Sequence, residues 1–116
     1  MRVKTGVSRR KRHKKVLART KGMRMSKGTL YKVSKEADLH AGQYAYEGRK
    51  LRKRDMRKLW IQRINAGLSH IESAPKYSRL INLLKIKNVE LNRKMLSDLA
   101  TTDPKAFAEV VKFVIS

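Results

Sequence analysis

The sequence contains no cysteine and only two prolines among its 116 residues. The lack of cysteine excludes disulfides, thiolate metal ligands and cysteine nucleophiles. Acidic residues are scarce too, since nine Asp and Glu accompany 30 Lys and Arg and leave a net charge of +21. A compact protein with this excess of positive charge repels itself, so the composition predicts a polyanionic partner, most commonly a nucleic acid.

Long apolar runs are also missing. No segment approaches the ~18 consecutive apolar residues of a membrane span, so we expect no membrane partner. The N-terminus lacks the apolar region of a secretory signal, which predicts a cytoplasmic or organellar protein. The Arg-rich, acid-free start fits a mitochondrial transit peptide by composition, but the charge continues far beyond a normal presequence.

Groups that could perform catalysis are dispersed. The three histidines, His13, His40 and His70, are far apart in sequence, and none lies at metal-ligand spacing from another histidine or a carboxylate. The six glycines are isolated, so there is no glycine-rich phosphate loop. We therefore expect no enzyme, no metal site, no cofactor and no small-molecule substrate.

The charge is distributed unevenly along the chain. Residues 1–58 carry 21 basic and 4 acidic side chains, whereas residues 59–116 carry 9 and 5. This asymmetry predicts a basic extension over 1–58 that binds the partner and a compact helical module over 59–116. The first 27 residues have 12 Lys or Arg and no acid, which predicts an arm that is disordered when free. A helix around 8–20 is expected once phosphates neutralise it. A solubilising tail or a nuclear-localisation patch is the alternative.

A helical pattern begins near residue 29 and continues without proline to residue 72. Apolar residues recur every three or four positions, which predicts one long helix. Trp60 lies on the second apolar stripe, so core packing is favoured over base stacking for it. Gly42 and Gly48 indicate a kink or a closely approaching partner, because glycine disfavours a helix interior.

The basic block at residues 49–58 has seven cations that cover most of the helix circumference. An ordinary surface helix keeps one apolar face, so this arrangement predicts a helix threaded between nucleic-acid segments. A solvated face with ion pairs is the alternative, although Asp55 is the only acid in the block. Tyr44 and Tyr46 point to nearly opposite sides, so at least one should meet a partner, and RNA bases stack on such rings.

The C-terminal half predicts three short helices. Pro75 ends the long helix, and Ser78 is the predicted N-cap of the first short helix. Asn88 breaks the helical pattern or caps a new helix, and Asp103-Pro104 caps the last helix. The predicted fold is therefore all-α, with a basic N-terminal extension containing a long helix and a small C-terminal helical bundle.

RNA is favoured over DNA as the partner. The sequence shows no zinc-finger spacing, no leucine-zipper heptad and no helix-turn-helix pair. Arginine-rich segments that order on binding are a common device of RNA-binding proteins. A DNA-compacting basic protein and a membrane-active cationic protein are the alternatives, and the encircling charge argues against the latter because membrane helices keep a broad apolar face.

The most specific motif of the sequence is Leu59-Trp60-Ile61-Gln62-Arg63-Ile64-Asn65-Ala66, preceded by Tyr44-Ala45-Tyr46 and Arg52-Lys53-Arg54-Asp55. These segments resemble the bacterial large-subunit ribosomal protein twenty family. The match continues through Arg2-Val3-Lys4, Arg12-His13-Lys14-Lys15-Val16-Leu17, residues 77–82 and residues 91–100, and so covers essentially the whole chain.

The resemblance implies an all-helical structural protein of the large ribosomal subunit that binds 23S ribosomal RNA and organises it early in assembly. Neighbouring large-subunit proteins are expected partners. Some members also bind their own messenger RNA and repress its translation. Taken together, the resemblance, the charge clusters and the tyrosines predict these RNA-binding residues: Arg2, Lys4, Arg9, Arg10, Lys11, Arg12, His13, Lys14, Lys15, Arg19, Lys21, Tyr44, Tyr46, Arg49, Lys50, Arg52, Lys53, Arg54, Arg57, Lys58, Arg63, Arg79 and Arg93.

The chain departs from the family pattern in a few places. Met23-Arg24-Met25 follows Lys21-Gly22 where an aromatic residue and a glycine are usual, which puts a stacking contact there in doubt. Met56 replaces a common phenylalanine, a substitution that a packed site tolerates. The acids Glu36, Asp38 and Glu47 predict weaker RNA contact on their part of the long helix.

Overall fold

The computed structural model describes residues 2–116 and is all-α, with no strand in that range. The five α-helices are α1 (Gly6–Arg19), α2 (Tyr31–Ser69), α3 (Tyr77–Ile86), α4 (Arg93–Thr102) and α5 (Pro104–Ile115). A short 3-10 helix, Met25–Gly28, lies between α1 and α2. The predicted fold class is thus confirmed. The chain divides into two compact units, the N-terminal unit (Met1–Lys50) and the C-terminal unit (Leu51–Ser116).

The long helix predicted over 29–72 is present as the 39 residues of α2. It ends at Ser69, six residues before Pro75, and the connection to α3 includes Ser73 in the left-handed region with φ of 62°. Pro75 therefore lies in the connection, beyond the end of α2, and the chain turns at Ser73 before it reaches this proline.

All eight buried apolar side chains of the described residues lie in the C-terminal unit. They come from the end of α2 and from the three short helices, as the periodicity predicts: Ile64, Leu68, Leu80, Leu84, Leu96, Phe107, Val111 and Val114. Gly67 allows α2 to pack closely against α4 and α5, because a Cβ at this position would lie 3.0 Å from the Cβ of Ala100 and 3.1 Å from Cε1 of Phe107. The module therefore has one small hydrophobic core.

Trp60 does not belong to this core, and the expectation that it packs there is wrong. It is only half-buried, one turn before Ile64, where the core begins. Together with Met56 and nearby arginines it lines a shallow hollow on the C-terminal unit. The apolar stripe on α2 extends further along the helix than the hydrophobic core does, because the short helices cover only the last turns of α2.

Local capping fixes the ends of the short helices. Asp103 accepts a hydrogen bond from the Ala106 amide at 3.1 Å and begins α5, with Pro104 at the first helical position. Asn88 has φ of 53° and ends α3 in a Schellman-type turn, in which the Val89 amide donates to the Leu84 carbonyl at 2.9 Å. The cap predicted at Ser78 is wrong: α3 begins at Tyr77, and Lys76 occupies the N-cap position without a side-chain bond.

The N-terminal unit is packed differently. The helix expected over 8–20 is present as α1, and its side chains contact the beginning of α2. The His13 ring stacks on Tyr31 with centroids 3.6 Å apart, and Arg19 pairs with Asp38 at 3.1 Å. The segment is therefore not a separate arm in this structure, because α2 offers partners that local sequence does not reveal. That the free arm is disordered stays a prediction.

Candidate nucleic-acid interface

The middle of α2 is uncovered. In the N-terminal unit every residue from Ala41 to Lys50 is exposed, and in the C-terminal unit so is every residue from Leu51 to Leu59. A helix of a globular domain normally buries an apolar face. Here even Leu51, Met56 and Leu59 remain 49%, 40% and 36% exposed. Among the described residues, the connection before α2 borders these turns at Ala41 and Tyr44, and the turns beyond Tyr44 are accessible to a partner from several sides.

Positive charge dominates the uncovered turns of the C-terminal unit. At 100° per residue, Arg52, Lys53, Arg54, Arg57 and Lys58 spread over about two-thirds of the helix circumference. Within residues 2–116 the single ion pair under 4 Å joins Arg19 to Asp38, so Asp55 does not pair with any of these cations. A solvated face laced with ion pairs is therefore not what this segment forms. Its cations are free to contact an external anion.

A second set of cations surrounds α1 in the N-terminal unit. Its inner side is formed by His13, Val16 and Leu17, which are half-buried, and by Thr20 just beyond the helix, which is fully buried. The cations occupy the rest of the surface and are all exposed: Arg9, Arg10, Lys11, Arg12, Lys14, Lys15 and Arg19. Contacts of one side of α1 with the 3-10 helix and the beginning of α2 thus leave the charged side chains directed outward.

Five of the predicted RNA-binding residues make contacts within the protein. His13 stacks on Tyr31, and Arg19 pairs with Asp38. The Nε of Arg93 donates to the Tyr77 hydroxyl at 2.7 Å, and the Lys50 ammonium lies 4.2 Å from the centroid of the Tyr46 ring. These contacts hold the side chains in place without removing the positive charge, since no predicted cation is buried.

Solvent reaches nearly all of the predicted residues. Only His13 and Arg93 are half-buried, and the others are exposed. The structure brings the α1 cations together on one helix and the cations of residues 49–58 together on α2. Arg79 and Arg93 stand apart from them, on α3 and α4.

The prediction missed a group of residues around a hollow in the N-terminal unit. Met23, Arg24 and Lys27, from the connection between α1 and α2, face a side of α2 that includes Glu36 and Tyr44. Only Tyr44 was among the predicted site residues. The departure from the family pattern at Met23-Arg24-Met25 was the one available signal, but the sequence did not reveal which residues it would face.

Residues 2–116 contain no group of three or more His, Asp or Glu side chains placed to hold a metal ion. None of the helices in this range has both the length and the apolar composition needed to cross a membrane. The histidines have other surroundings: His13 stacks on Tyr31, His40 borders the hollow, and His70 is exposed.

Comparison with known proteins gives a consistent result. A family model described as "Ribosomal protein L20" matches residues 2–110. The "Large ribosomal subunit protein bL20" of Chloroflexus aurantiacus is 53% identical over 111 residues, which is 96% of this chain and 92% of the relative. The protein of the same name from Maridesulfovibrio salexigens is 54% identical over 112 residues, covering 97% and 94%. That from Hahella chejuensis is 51% identical over 111 residues, covering 96% and 92%. The chain therefore belongs to the ribosomal protein L20 family.

Proposed function

We propose that this chain is a structural protein of the large ribosomal subunit that binds 23S ribosomal RNA directly and organises it during subunit assembly. Its place in the cell is then the cytoplasmic ribosome. Its relatives bear the name of a large-subunit protein, and its family is one of ribosomal structural proteins rather than enzymes.

The observation that carries the proposal is the uncovered, cation-rich stretch of α2. Residues 41–59 are all exposed, and the seven cations within them lie beyond 4 Å of any described carboxylate. A protein of net charge +21 gains little from such a helix in water, because the like charges repel one another. Phosphates on several sides would relieve this repulsion.

The mechanism is electrostatic clamping. RNA segments that fold together bring phosphates close to one another, and Lys and Arg placed between them neutralise the charge. Condensed counterions are released in the process, which favours binding and makes it depend on salt. The guanidinium groups of Arg52, Arg54 and Arg57 can also form two parallel hydrogen bonds to one phosphate.

The division of labour proposed for the chain assigns the clamp to residues 1–58 and shape-specific docking to the module at 59–116. Every apolar side chain that is buried among residues 2–116 belongs to the latter range, which supports a self-contained module. On the module, Ile86 and Phe113 are 65% and 60% exposed. Contacts with neighbouring large-subunit proteins are proposed as well, and exposed apolar side chains such as these can be buried in such contacts.

Binding of the chain's own messenger RNA is a finer expectation that follows from the family resemblance. It would use the same exposed cations, since a folded messenger segment presents the same phosphate chemistry as ribosomal RNA. It stays a prediction.

The test is a salt titration of filter binding with transcribed 23S ribosomal RNA and the full chain. If 6–10 phosphates are contacted, affinity falls by about 10³–10⁵-fold between 50 and 200 mM salt. Replacing Arg52, Arg54 and Arg57 together by Gln should lower the slope of log affinity against log salt by about 2–3. The matched control replaces Lys85, Lys105 and Lys112 by Gln. These three lysines are exposed and lie outside the predicted site, so the slope of log affinity against log salt should stay nearly unchanged.

A flat salt response would contradict the proposal. Equal affinity for any DNA duplex would instead support a DNA-compacting protein, and co-sedimentation with liposomes would support a membrane-active one. The proposal expects clear preference for a large-subunit RNA fragment over both.

A further inference from the structure

A hollow of about 560 Å³ lies between α2 and the connection that precedes it, entirely within the N-terminal unit. One wall is a face of α2 at helical spacing, with Val33, Ala37, Ala41 and Tyr44. The other wall comes from Met23, Arg24 and Lys27. Its volume is within the range of about 300–1,000 Å³ found for small-molecule and cofactor sites.

The floor of the hollow is apolar and its outer edge is aromatic. Val33, Ala37 and Met23 are half-buried, whereas Tyr44 is 71% exposed. The small side chains of Ala37 and Ala41 leave open the space beside the Tyr44 ring. A flat aromatic ring next to an apolar floor is the surface on which proteins stack an unpaired base.

The charges around the hollow indicate where the base and the phosphate of a bound nucleotide would lie. Glu36 lines it and lacks an ion-pair partner among the described residues, so a phosphate at that point would be repelled. A carboxylate does accept hydrogen bonds from the amino and imino groups of a base. Arg24 and Lys27, on the opposite wall, suit the phosphate that adjoins such a base.

The wall formed by the connection is held by backbone geometry rather than by an apolar core. Gly22 and Met25 have φ of +83° and 63°, and this sharp turn brings Met23 and Arg24 back towards α2. The fully buried hydroxyl of Ser34 donates to the carbonyl of Lys27 and lies 2.6 Å from that of Leu30. A left-handed conformation is costly for a residue such as Met25, so it persists where the surroundings fix it. The hollow is thus built in the free protein.

We propose that this hollow binds a single unpaired nucleobase of the RNA, stacked on Tyr44, with its edge towards Glu36 and its phosphate against Arg24 and Lys27. The proposal rests on the RNA-binding function proposed above and adds to it one base-specific site in a surface that otherwise contacts phosphates.

Binding of the full chain to transcribed 23S ribosomal RNA tests this site. Tyr44→Ala should lower the affinity about 5- to 150-fold, because base stacking is lost, while Tyr44→Phe stays within about 3-fold. The salt slope should not change in either variant, because no charge is removed. A helical signal equal to that of the wild type in circular dichroism shows that the variants are folded.

A second pair of variants tests the hollow itself. Ala41→Leu places a larger side chain into the space beside Tyr44 and should lower affinity at least 5-fold. The control Gln43→Leu adds the same side chain at an exposed position of α2 that is not among the residues lining the hollow, and should leave affinity unchanged.

The outcomes separate the two proposals. If the wild-type chain binds 23S ribosomal RNA with a steep salt dependence but Tyr44→Ala or Ala41→Leu binds equally well, the base site is wrong and the clamp stands. Equal losses in Ala41→Leu and Gln43→Leu also overturn the site, since the hollow would then not matter. A wild-type chain without salt-dependent binding overturns both.

Discussion

Different interactions stabilise the interior of each of the two units of this protein. The C-terminal unit buries eight apolar side chains from four helices. In the N-terminal unit the buried residues among those described are Thr20 and Ser34, both polar. The charge differs as well, with 16 basic and 3 acidic residues in the first 50 positions and 14 and 6 in the remaining 66.

This difference separates a unit that hydrophobic burial can stabilise from one whose described residues bury no apolar side chain. Removal of apolar surface from water contributes about 25 cal/mol per Å², so a core of eight side chains favours one packed arrangement. The N-terminal unit relies on hydrogen bonds of about 0.5–1.5 kcal/mol each and on one partly exposed ion pair of about 0.2–1 kcal/mol. Under the proposed function, RNA phosphates would add to the stability of this unit by neutralising its positive charge.

The largest expected effect is in the C-terminal core. Phe107 is 1% exposed and contacts the turn of α2 at Gly67, so Phe107→Ala should destabilise the unit by about 3–5 kcal/mol. Urea unfolding followed by circular dichroism measures this. The control Phe113→Ala, at a 60% exposed position of the same helix, should change stability by no more than about 0.5 kcal/mol. Similar losses in both variants would show that the core does not depend on Phe107.

A smaller effect is expected in the N-terminal unit. Ser34→Ala leaves the Lys27 carbonyl without its hydroxyl donor, which should cost about 1–3 kcal/mol locally. Hydrogen exchange should become faster at the amides of residues 23–30 and stay unchanged in the C-terminal unit. The exposed Ser8→Ala on α1 is the control. Unchanged exchange in Ser34→Ala would mean that other contacts hold the connection.

The smallest effects compare one substitution at two places on α2. A Cβ at Gly48 would have no neighbour within 4 Å, so Gly48→Ala should stabilise the free chain by about 0.5–1 kcal/mol. At Gly67 the new Cβ would meet Ala100 and Phe107, so Gly67→Ala should destabilise it by about 1 kcal/mol. Thermal melting measures both. If RNA packs against the bare backbone at Gly48, the stabilised variant should nevertheless bind it more weakly. If both substitutions shifted the melting temperature in the same direction, the contrast between these two positions of α2 would be wrong.

Much of the fold could be predicted from the sequence because its signals are local. The apolar spacing located α2 to within three residues at each end, and Asp103-Pro104 located the start of α5. The cap at Ser78 was misplaced, because Lys76 occupies the N-cap without a side-chain bond and leaves no signal. Trp60 was misassigned because periodicity shows which residues share a helix face but not how far the opposing helices extend along it.

The candidate interface could be predicted only in part. Its cations are evident from composition, and exposure of residues 41–59 agrees with the encircling charge. The stack of His13 on Tyr31 and the hollow beside Tyr44 were not predicted. Both join segments that are separate in sequence, so no local pattern contains them.

The sequence by itself determined the helices, the uneven charge and the family, because these depend on residue type and on spacing within about one or two helical turns. Only the tertiary structure decided which apolar residues form a core, which cations already have an internal partner, and that residues 23–27 form a wall opposite α2. Those features depend on how the chain turns at Gly22 and Met25 and on what Ser34 anchors, and residue spacing does not encode such contacts.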